Sequence, residues 1–226
     1  MFFIYRVLQR LCMNNQRTTY FQRNCEVYVF CVQVFVFFFY ISVLRDRMSI
    51  EDKGYVQLGE GNDTLTFRPC EAADVPRCLT LEVAGYPEDE AATLESLTFR
   101  QANAPGYFLV ACSGRTVVGF VCGTSTCADS LTHDSMSLHE PEGTTLCVHS
   151  VCVEGSQRRR KVGTRMLAAY LQYVRACSPS SKEVRLICKK HLTGFYEQGG
   201  FTLIGPSNVV HGQEQWFEMK QSLLDL

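Results

Sequence analysis

The sequence predicts an α/β fold in which a mixed sheet of about seven strands is flanked by about four helices. Strand-like and helix-like segments alternate over residues 64–223, and one buried strand runs through a short loop into an amphipathic helix. The chain has 226 residues, of which 46% are hydrophobic and 12% aromatic. It can therefore bury the core of one domain of about 150–180 residues.

The strand and helix near the middle of the chain are the clearest elements. Leu146–Val153 carries β-forming or small residues on both faces, which is typical of a strand covered on each side. Alternation turns Cys147 and His149 the same way, about 7 Å apart, so both are expected to line one cavity. The helix is expected to begin near Gly163, with an inward stripe of Met166, Leu167, Tyr170, Leu171 and Val174.

The other elements follow in chain order after a polar linker over residues 48–63. Further strands are predicted at Thr64–Pro69, Tyr107–Cys112, Thr116–Thr124, Glu183–Cys188, Phe201–Ile204 and Gln215–Met219. One helix is predicted over Glu71–Ala84, with Val75, Leu79 and Val83 inward. A second begins near Asp89 and ends before Pro105, with Leu94, Leu97 and Thr98 inward, and a short one covers His191–Gln198. The loop Ser125–Thr144 has the length of a lid or binding loop.

Residues 1–47 do not resemble the domain that follows them. The run from Val27 to Leu44 is long and apolar enough to be a candidate membrane span. It suits a signal anchor flanked by arginines, whereas a cleaved signal peptide fits worse because the run is long and starts late. The interpretation we favour is that the protein starts at Met48. A cytoplasmic protein is then expected, with membrane anchoring through residues 27–44 as the alternative.

Charge and cysteine content argue against two classes of function. Residues 48–226 hold sixteen Lys or Arg and 21 Asp or Glu, a net charge of −5, so no nucleic-acid partner is expected. The twelve cysteines form no CxxC pair and lack the histidine spacing of zinc sites, so no metal is expected. Those in apolar runs, such as Cys112, Cys122 and Cys152, are expected to pack as reduced thiols.

Four cations, Arg158 to Lys161, lie between the central strand and helix. The positive end of a helix, beside a glycine that lets the main chain approach a ligand, suits a pyrophosphate. A solvated basic turn, an import signal or a nucleic-acid patch would give the same run. Because the domain is acidic overall, a small phosphorylated ligand is favoured.

This loop resembles the cofactor motif of the GNAT acyltransferases, which is Arg or Gln, two residues, Gly, one residue, then Gly or Ala. Here the motif reads RRRKVG over residues 158–163, with Lys161 where the first glycine usually stands. A narrower resemblance, over Thr64–Leu223, is to the arylalkylamine (serotonin) N-acetyltransferases of the non-vertebrate type. It rests on YPEDEAATLESLTFRQ from Tyr86, VHSVCV from Val148, GFYEQGGF from Gly194, and GPSNVV followed by WFEMKQSL.

The resemblance implies a GNAT fold over residues 64–223 and acetyl-CoA as cosubstrate, with no metal. It also implies that the central strand pairs with the pantetheine arm and that Val153 N–H meets the developing oxyanion. Tyr196 resembles the tyrosine that protonates the departing thiolate, although a core aromatic beside Phe195 would look the same. The implied cofactor-binding residues are Val151, Cys152, Val153, Arg158, Arg159, Arg160, Lys161, Val162, Gly163 and Thr164.

An amine acceptor requires a base, because an alkylamine has a pKa near that of lysine, about 10.4. His149 is the candidate, since imidazole titrates near neutrality and the resemblance implies that a histidine here deprotonates the amine through water. The family often has a second histidine where Cys147 stands. Either His149 deprotonates the amine with the help of a water chain, or Cys147 is merely a packing residue. His133 or His139 on the long loop is a further candidate for the base.

The substrate ammonium requires an acidic partner. Glu82, Glu88, Asp89 and Glu90 cluster near the break between the first two helices, where ordinary helix capping is the alternative explanation. The predicted substrate-binding residues are Glu82, Tyr86, Glu90 and Cys147.

The leading hypothesis is a monomeric enzyme that transfers acetyl from acetyl-CoA to a small aromatic amine by direct attack in a ternary complex. A second hypothesis keeps the fold but changes the acceptor to a polyamine, an amino acid or a protein amine. A third is a non-catalytic module that binds acetyl-CoA, to which Lys161 and Cys147 lend support. A covalent route through Cys147 or Cys152 would show ping-pong kinetics.

Overall fold

The computed structural model describes residues 56–58 and 65–224, which belong to one compact unit, Gly54–Leu226. Its strands are β1 Val56–Leu58, β2 Leu65–Pro69, β3 Phe108–Ser113, β4 Thr116–Thr126, β5 Thr145–Val153, β6 Glu183–Cys188, β7 Thr202–Pro206 and β8 Phe217–Ser222. Its helices are α1 Val75–Gly85, α2 Leu94–Asn103, α3 Val162–Cys177 and α4 Thr193–Gln198.

The strands form one mixed sheet in the order β1-β2-β3-β4-β5-β6-β8-β7. All neighbours are antiparallel except β5 and β6, which are parallel. The predicted mixed α/β architecture is confirmed, and β1 is a strand inside the segment predicted as a linker. Among the described residues, no helix is long and apolar enough to cross a membrane. The predictions for residues 1–47 lie outside the described residues.

Helices cover both faces of the sheet, as the apolar faces of the central strand predicted. On one face, the stripe of α3 is buried as predicted, comprising Met166, Leu167, Tyr170, Leu171 and Val174. On the other face, Cys78, Leu81 and Leu97 of α1 and α2 pack against Phe108 and Phe120. The central strand therefore has little contact with solvent, and its ends and irregularities decide where a ligand can enter.

The inward faces of α1 and α2 differ from the prediction. Val83 is 63% exposed and Leu94 is 50% exposed, whereas Glu82 and Arg100 are buried. Helix α2 begins at Leu94, later than predicted, because the Thr93 side chain accepts the N–H of Ser96 and caps the helix there. Two charged side chains thus take inward positions that apolar periodicity had assigned to leucine and valine.

A β-bulge in β5 centres on His149. Cys122 of β4 pairs with Ser150, and the next residue, Gly123, pairs with Val148, so His149 is an extra residue on β5. The bulge interrupts strict alternation and brings His149 and Ser150 to the wall of the same cavity.

Strands β5 and β6 separate beyond this bulge. Their parallel pairing ends at Val148 and Leu186, although β5 continues to Val153. In residues 149–153, β5 is paired with β4 alone, so main-chain groups on its other edge face a widening gap.

Candidate active site

A cavity of about 270 Å³ lies between α1, α2 and the bulge of β5. Four predicted site residues line it together: His149, Glu82, Tyr86 and Glu90. Its wall also contains residues that sequence reasoning did not select, namely Arg100, Ser150, Met136, Ile187 and His211. Polar groups are therefore concentrated on a partly apolar wall, as is usual in small-molecule sites.

Thr124 fixes the tautomer of His149. The Thr124 hydroxyl donates to Ser135 O at 2.6 Å and lies 2.8 Å from His149 Nε2. Because a hydroxyl has one proton, its oxygen must accept from His149, and Nε2 carries the imidazole hydrogen. Nδ1 is then the unprotonated nitrogen, and it is buried without a partner among the described protein atoms.

His149 is held in its neutral form. Burial lowers its pKa well below the usual range, the positive charge of Arg100 lowers it further, and the Ser135 carbonyl opposes the shift only in part. At neutral pH the side chain is consequently an uncharged imidazole whose Nδ1 lone pair is available to take a proton.

Glu82 is a buried carboxylate held by uncharged donors. Oε1 accepts from Ala92 N–H at 2.9 Å and from the Ser150 hydroxyl at 3.0 Å. Oε2 lies 3.0 Å from the Cys152 thiol, which donates to it. These contacts fix the carboxylate beside the cavity without neutralising its charge, so it can bind a cation.

Glu90 differs from Glu82 because it already has a cationic partner. Lys189 Nζ lies 2.5 Å from Glu90 Oε1 and stacks 4.1 Å from the centre of the Trp216 ring. His211 contributes a further contact, from Nε2 to Glu90 O at 2.9 Å. Glu90 therefore helps to hold the wall of the cavity, and Glu82 is the better ammonium partner.

Cys147 does not line the cavity, although it was expected there with His149. It is fully buried in a small apolar cluster with Leu131 and Val209, which cover its position on the strand. Burial raises the pKa of its thiol to about 11, so it is protonated at neutral pH. This position favours the packing alternative for Cys147.

The other histidines considered as bases are placed differently. His133 is exposed at the rim of the cavity. His139 accepts the Ser125 N–H through Nδ1, and it is not among the residues that line the cavity. Of the three, His149 alone lines the cavity with a ring oriented by Thr124 and a buried nitrogen that has no partner among the described protein atoms.

Two tyrosines, the partly buried Tyr86 and the buried Tyr196, lie near the gap between β5 and β6. Tyr86 accepts the Val151 N–H at 3.3 Å, and burial raises its pKa, with smaller contributions from Cys152 and Tyr196. Tyr196 packs edge-on against Phe195 and does not line the cavity. Burial also raises the pKa of Tyr196, so its hydroxyl keeps its proton at neutral pH.

The predicted cofactor residues form a continuous edge from β5 to the start of α3. The four cations are exposed, and Arg158 Nε donates to Val153 O at 3.0 Å. The Arg165 N–H bonds to Lys161 O, so the amides of the three preceding residues are the unbonded donors expected in a first helical turn. These amides belong to the predicted residues Val162, Gly163 and Thr164, and they fit a pyrophosphate. The side chains of Val162 and Cys152 are buried in the core.

Lys161 adopts a left-handed backbone conformation, which glycine would adopt without strain. Its φ of 60° and ψ of 14° lie in the left-handed region, and Arg159 also has a positive φ, 65°. The left-handed conformation costs a residue with a Cβ about 1 kcal/mol.

Lys161→Gly is therefore expected to raise the free energy of unfolding by up to about 1 kcal/mol, because glycine adopts this conformation without strain. Denaturant unfolding of the full chain measures the change. Lys161→Ala is the matched control, since it removes the charge but retains the strain. Equal stabilisation by both substitutions would show that charge, not backbone conformation, is responsible.

Among the described residues, no group of three or more His, Cys, Asp or Glu side chains is arranged to hold a metal ion.

Comparison with known proteins identifies the family. The acetyltransferase (GNAT) domain family matches residues 89–223. The chain belongs to the GNAT acetyltransferase family. This GNAT chain is 32% identical to a serotonin N-acetyltransferase of Mesocricetus auratus over 107 residues, which are 47% of this chain and 51% of that protein. It is 29% identical to a serotonin N-acetyltransferase of Macaca mulatta over 118 residues, 52% of this chain and 55% of the relative. The chain spans about half the length of the curated relatives it matches.

Solved structures support the GNAT fold. The loading GNATL domain of CurA from Lyngbya majuscula has a TM-score of 0.64 at 15% identity, covering 72% of this chain and 99% of that domain. The structure of yncA from Salmonella typhimurium with its cofactor acetyl-CoA has a TM-score of 0.51 at 17% identity, covering 70% and 94%. At these identities the likeness extends to the GNAT fold alone.

Sequence reasoning missed two residues that set the properties of His149. Thr124 stands on the strand next to His149, and nothing in a strand pattern marks a hydroxyl as a histidine partner. Arg100 follows the inward Leu97 by three residues on the same helix, and this spacing is the signal that could have revealed a buried cation.

Proposed function

We propose that this GNAT protein is a cytoplasmic, monomeric enzyme that transfers the acetyl group of acetyl-CoA to the primary amine of a small arylalkylamine. The observation that carries the proposal is His149, a neutral imidazole whose Nδ1 has no partner among the described protein atoms and which lines the same cavity as Glu82. A base and an ammonium partner in one cavity are the groups that amine acylation requires.

The residues that would hold acetyl-CoA lie along one edge. Val151 and Val153 present main-chain groups to the gap between β5 and β6, and the loop Arg158–Lys161 leads to the first turn of α3. The phosphates suit the exposed cations and helix amides, while an extended arm suits the strand edge that β6 leaves unpaired. Acetyl-CoA supplies a thioester whose carbonyl carbon a neutral amine can attack.

The protein's own groups divide the proton transfers between them. Glu82 binds the ammonium, and His149 Nδ1 takes its proton directly or through water, which leaves a nucleophilic amine. The Val153 N–H is the proposed donor to the developing oxyanion. Tyr196, protonated at neutral pH, supplies a proton to the departing thiolate, and the second proton that the amine nitrogen loses as the amide forms restores the tyrosine.

The similarity to serotonin N-acetyltransferases supports an arylalkylamine acceptor. The aromatic and apolar part of the wall, including Tyr86, Met136, Ile187 and Trp216, suits an aryl group. The left-handed conformation of Lys161 is one that glycine adopts readily, which weakens one reason for preferring a non-catalytic module.

Release of coenzyme A thiol by the purified full chain tests the proposal. The acceptors are tryptamine, serotonin, phenethylamine, a polyamine and a lysine peptide, each with acetyl-CoA, and the acetylated product is identified by mass spectrometry. Release that depends on an arylalkylamine is the expected result. Acetyl-CoA binding without release for any amine would instead favour a binding module.

A further inference from the structure

Three buried polar atoms in the cavity lack a protein partner. They are Glu90 Oε2, Arg100 Nε and His149 Nδ1, three of the five such atoms in the described part of the chain. The carboxylate oxygen and the imidazole nitrogen are hydrogen-bond acceptors, whereas the guanidinium nitrogen is a donor. An amine can satisfy the two acceptors, but Arg100 requires an acceptor atom that a simple amine does not have.

Arg100 is buried without an ionic partner. Its side chain is 4% exposed, and no carboxylate forms an ion pair with it among the described residues. Nη2 donates to Met136 O at 3.0 Å, and Nη1 has only the Cys122 sulfur at 3.6 Å. A buried cation with such weak partners is stabilised strongly by an anionic oxygen.

The charges around the cavity favour a substrate that carries one positive and one negative group. Lys189 neutralises Glu90, so Glu82 and Arg100 remain as one negative and one positive group. A simple ammonium ion that binds Glu82 leaves Arg100 uncompensated, whereas a zwitterion supplies an opposite charge to each.

The imidazole of His149 and the guanidinium of Arg100 lie close together. Ser135 O accepts from Thr124, which orients His149, and the adjacent carbonyl, Met136 O, accepts from Arg100. These carbonyls belong to consecutive residues, whose Cα atoms are about 3.8 Å apart, and the charge of Arg100 acts on His149, so the two side chains are neighbours. An acceptor that reaches both needs its amine and its anionic oxygen to be separated by only a few bonds.

We infer that Arg100 is a specificity-determining residue that binds a carboxylate carried on or next to the amine-bearing carbon of the acceptor. The preferred acceptors within the proposed arylalkylamine class are then aromatic amino acids, which carry a carboxylate next to the amine. This inference rests on the proposed acetyl transfer and specifies its substrate.

Initial rates of the full chain with acetyl-CoA and three matched acceptors test the inference. Tryptamine lacks the carboxylate, tryptophan has it, and tryptophan methyl ester keeps the carbonyl oxygen but loses the charge. Arg100→Met removes both the donors and the charge, Arg100→Lys keeps the charge, and Arg175→Met, at an exposed site on α3, is the control. Circular dichroism and acetyl-CoA binding establish that each variant is folded.

For the wild type, we expect kcat/KM for tryptophan to exceed that for tryptamine and for the ester by at least about tenfold. Arg100→Met should bring the tryptophan to tryptamine ratio to about one, Arg100→Lys should retain part of it, and Arg175→Met should leave it unchanged. Wild-type rates with tryptamine or serotonin that match or exceed those with tryptophan would overturn the inference, even if Arg100→Met does not fold. A preference for tryptophan over tryptamine that survives in a folded Arg100→Met variant would also overturn the inference. Absence of acetylation with every amine would instead refute the proposed function itself.

Discussion

Replacing His149 with glutamine is expected to lower kcat by about 10²- to 10⁴-fold, the usual contribution of a general base. Glutamine can still bond to Thr124, but it cannot take a proton at neutral pH. Because His149 lies in the acceptor cavity and not along the proposed cofactor edge, the dissociation constant for acetyl-CoA should not change. Thiol-release kinetics and calorimetric titration with acetyl-CoA measure the two quantities.

The other histidines near the site provide controls for this substitution. His139→Gln should change kcat less than about twofold, the small effect typical of a site outside the chemistry, because its Nδ1 bonds to Ser125 outside the cavity. His133→Gln, at the exposed rim, should also retain most of the activity. A large loss in His133→Gln with an active His149→Gln would assign the base to the long loop.

Glu82→Gln is expected to lower kcat/KM for an amine by about 10- to 100-fold, as for loss of a hydrogen bond to a charged group. The amide oxygen can keep the contacts to Ala92 and Ser150, so the wall should remain in place while the negative charge is lost. The effect should appear mainly as a higher KM for the amine.

Glu90→Gln is the matched comparison for Glu82→Gln. Both carboxylates line the cavity, but Lys189 already neutralises Glu90, so this substitution should raise KM for the amine less. Initial rates over a range of amine concentrations compare the two variants. A larger loss in Glu90→Gln would make Glu90 the ammonium partner and restrict Glu82 to a structural role.

The sequence predicted the elements that periodicity specifies directly. The stripe on α3 spans several turns of one helix, and all five predicted residues are buried. The bulge at His149 and the separation of β5 from β6 were not predictable, because they depend on the register between strands that are distant in the chain. The start of α2 was missed because the Thr93 cap outweighs the acidic residues that precede it.

The candidate site was predicted only in part, because it too depends on contacts between segments that are distant in the chain. His149, Glu82, Tyr86 and Glu90 meet in one cavity as expected, since they lie in segments that the resemblance marked. Cys147 was expected there too, but Leu131 and Val209, from segments on either side of it in the chain, cover it. The roles of Thr124 and Arg100 depend on the carbonyls of Ser135 and Met136, whose positions follow from the path of a loop that has no periodic pattern.

The most direct test of His149 as the base is nuclear magnetic resonance of its two imidazole nitrogens in ¹⁵N-histidine-labelled protein, with His149→Gln to assign the signals. Burial and the charge of Arg100 lower the pKa of His149, so we expect a neutral ring with hydrogen on Nε2 to persist below pH 6.5. Saturating amine should then shift the Nδ1 resonance in particular, because that nitrogen is the proposed proton acceptor. A protonated ring at neutral pH, or a neutral ring with hydrogen on Nδ1, would contradict the assignment, because neither form can accept a proton there.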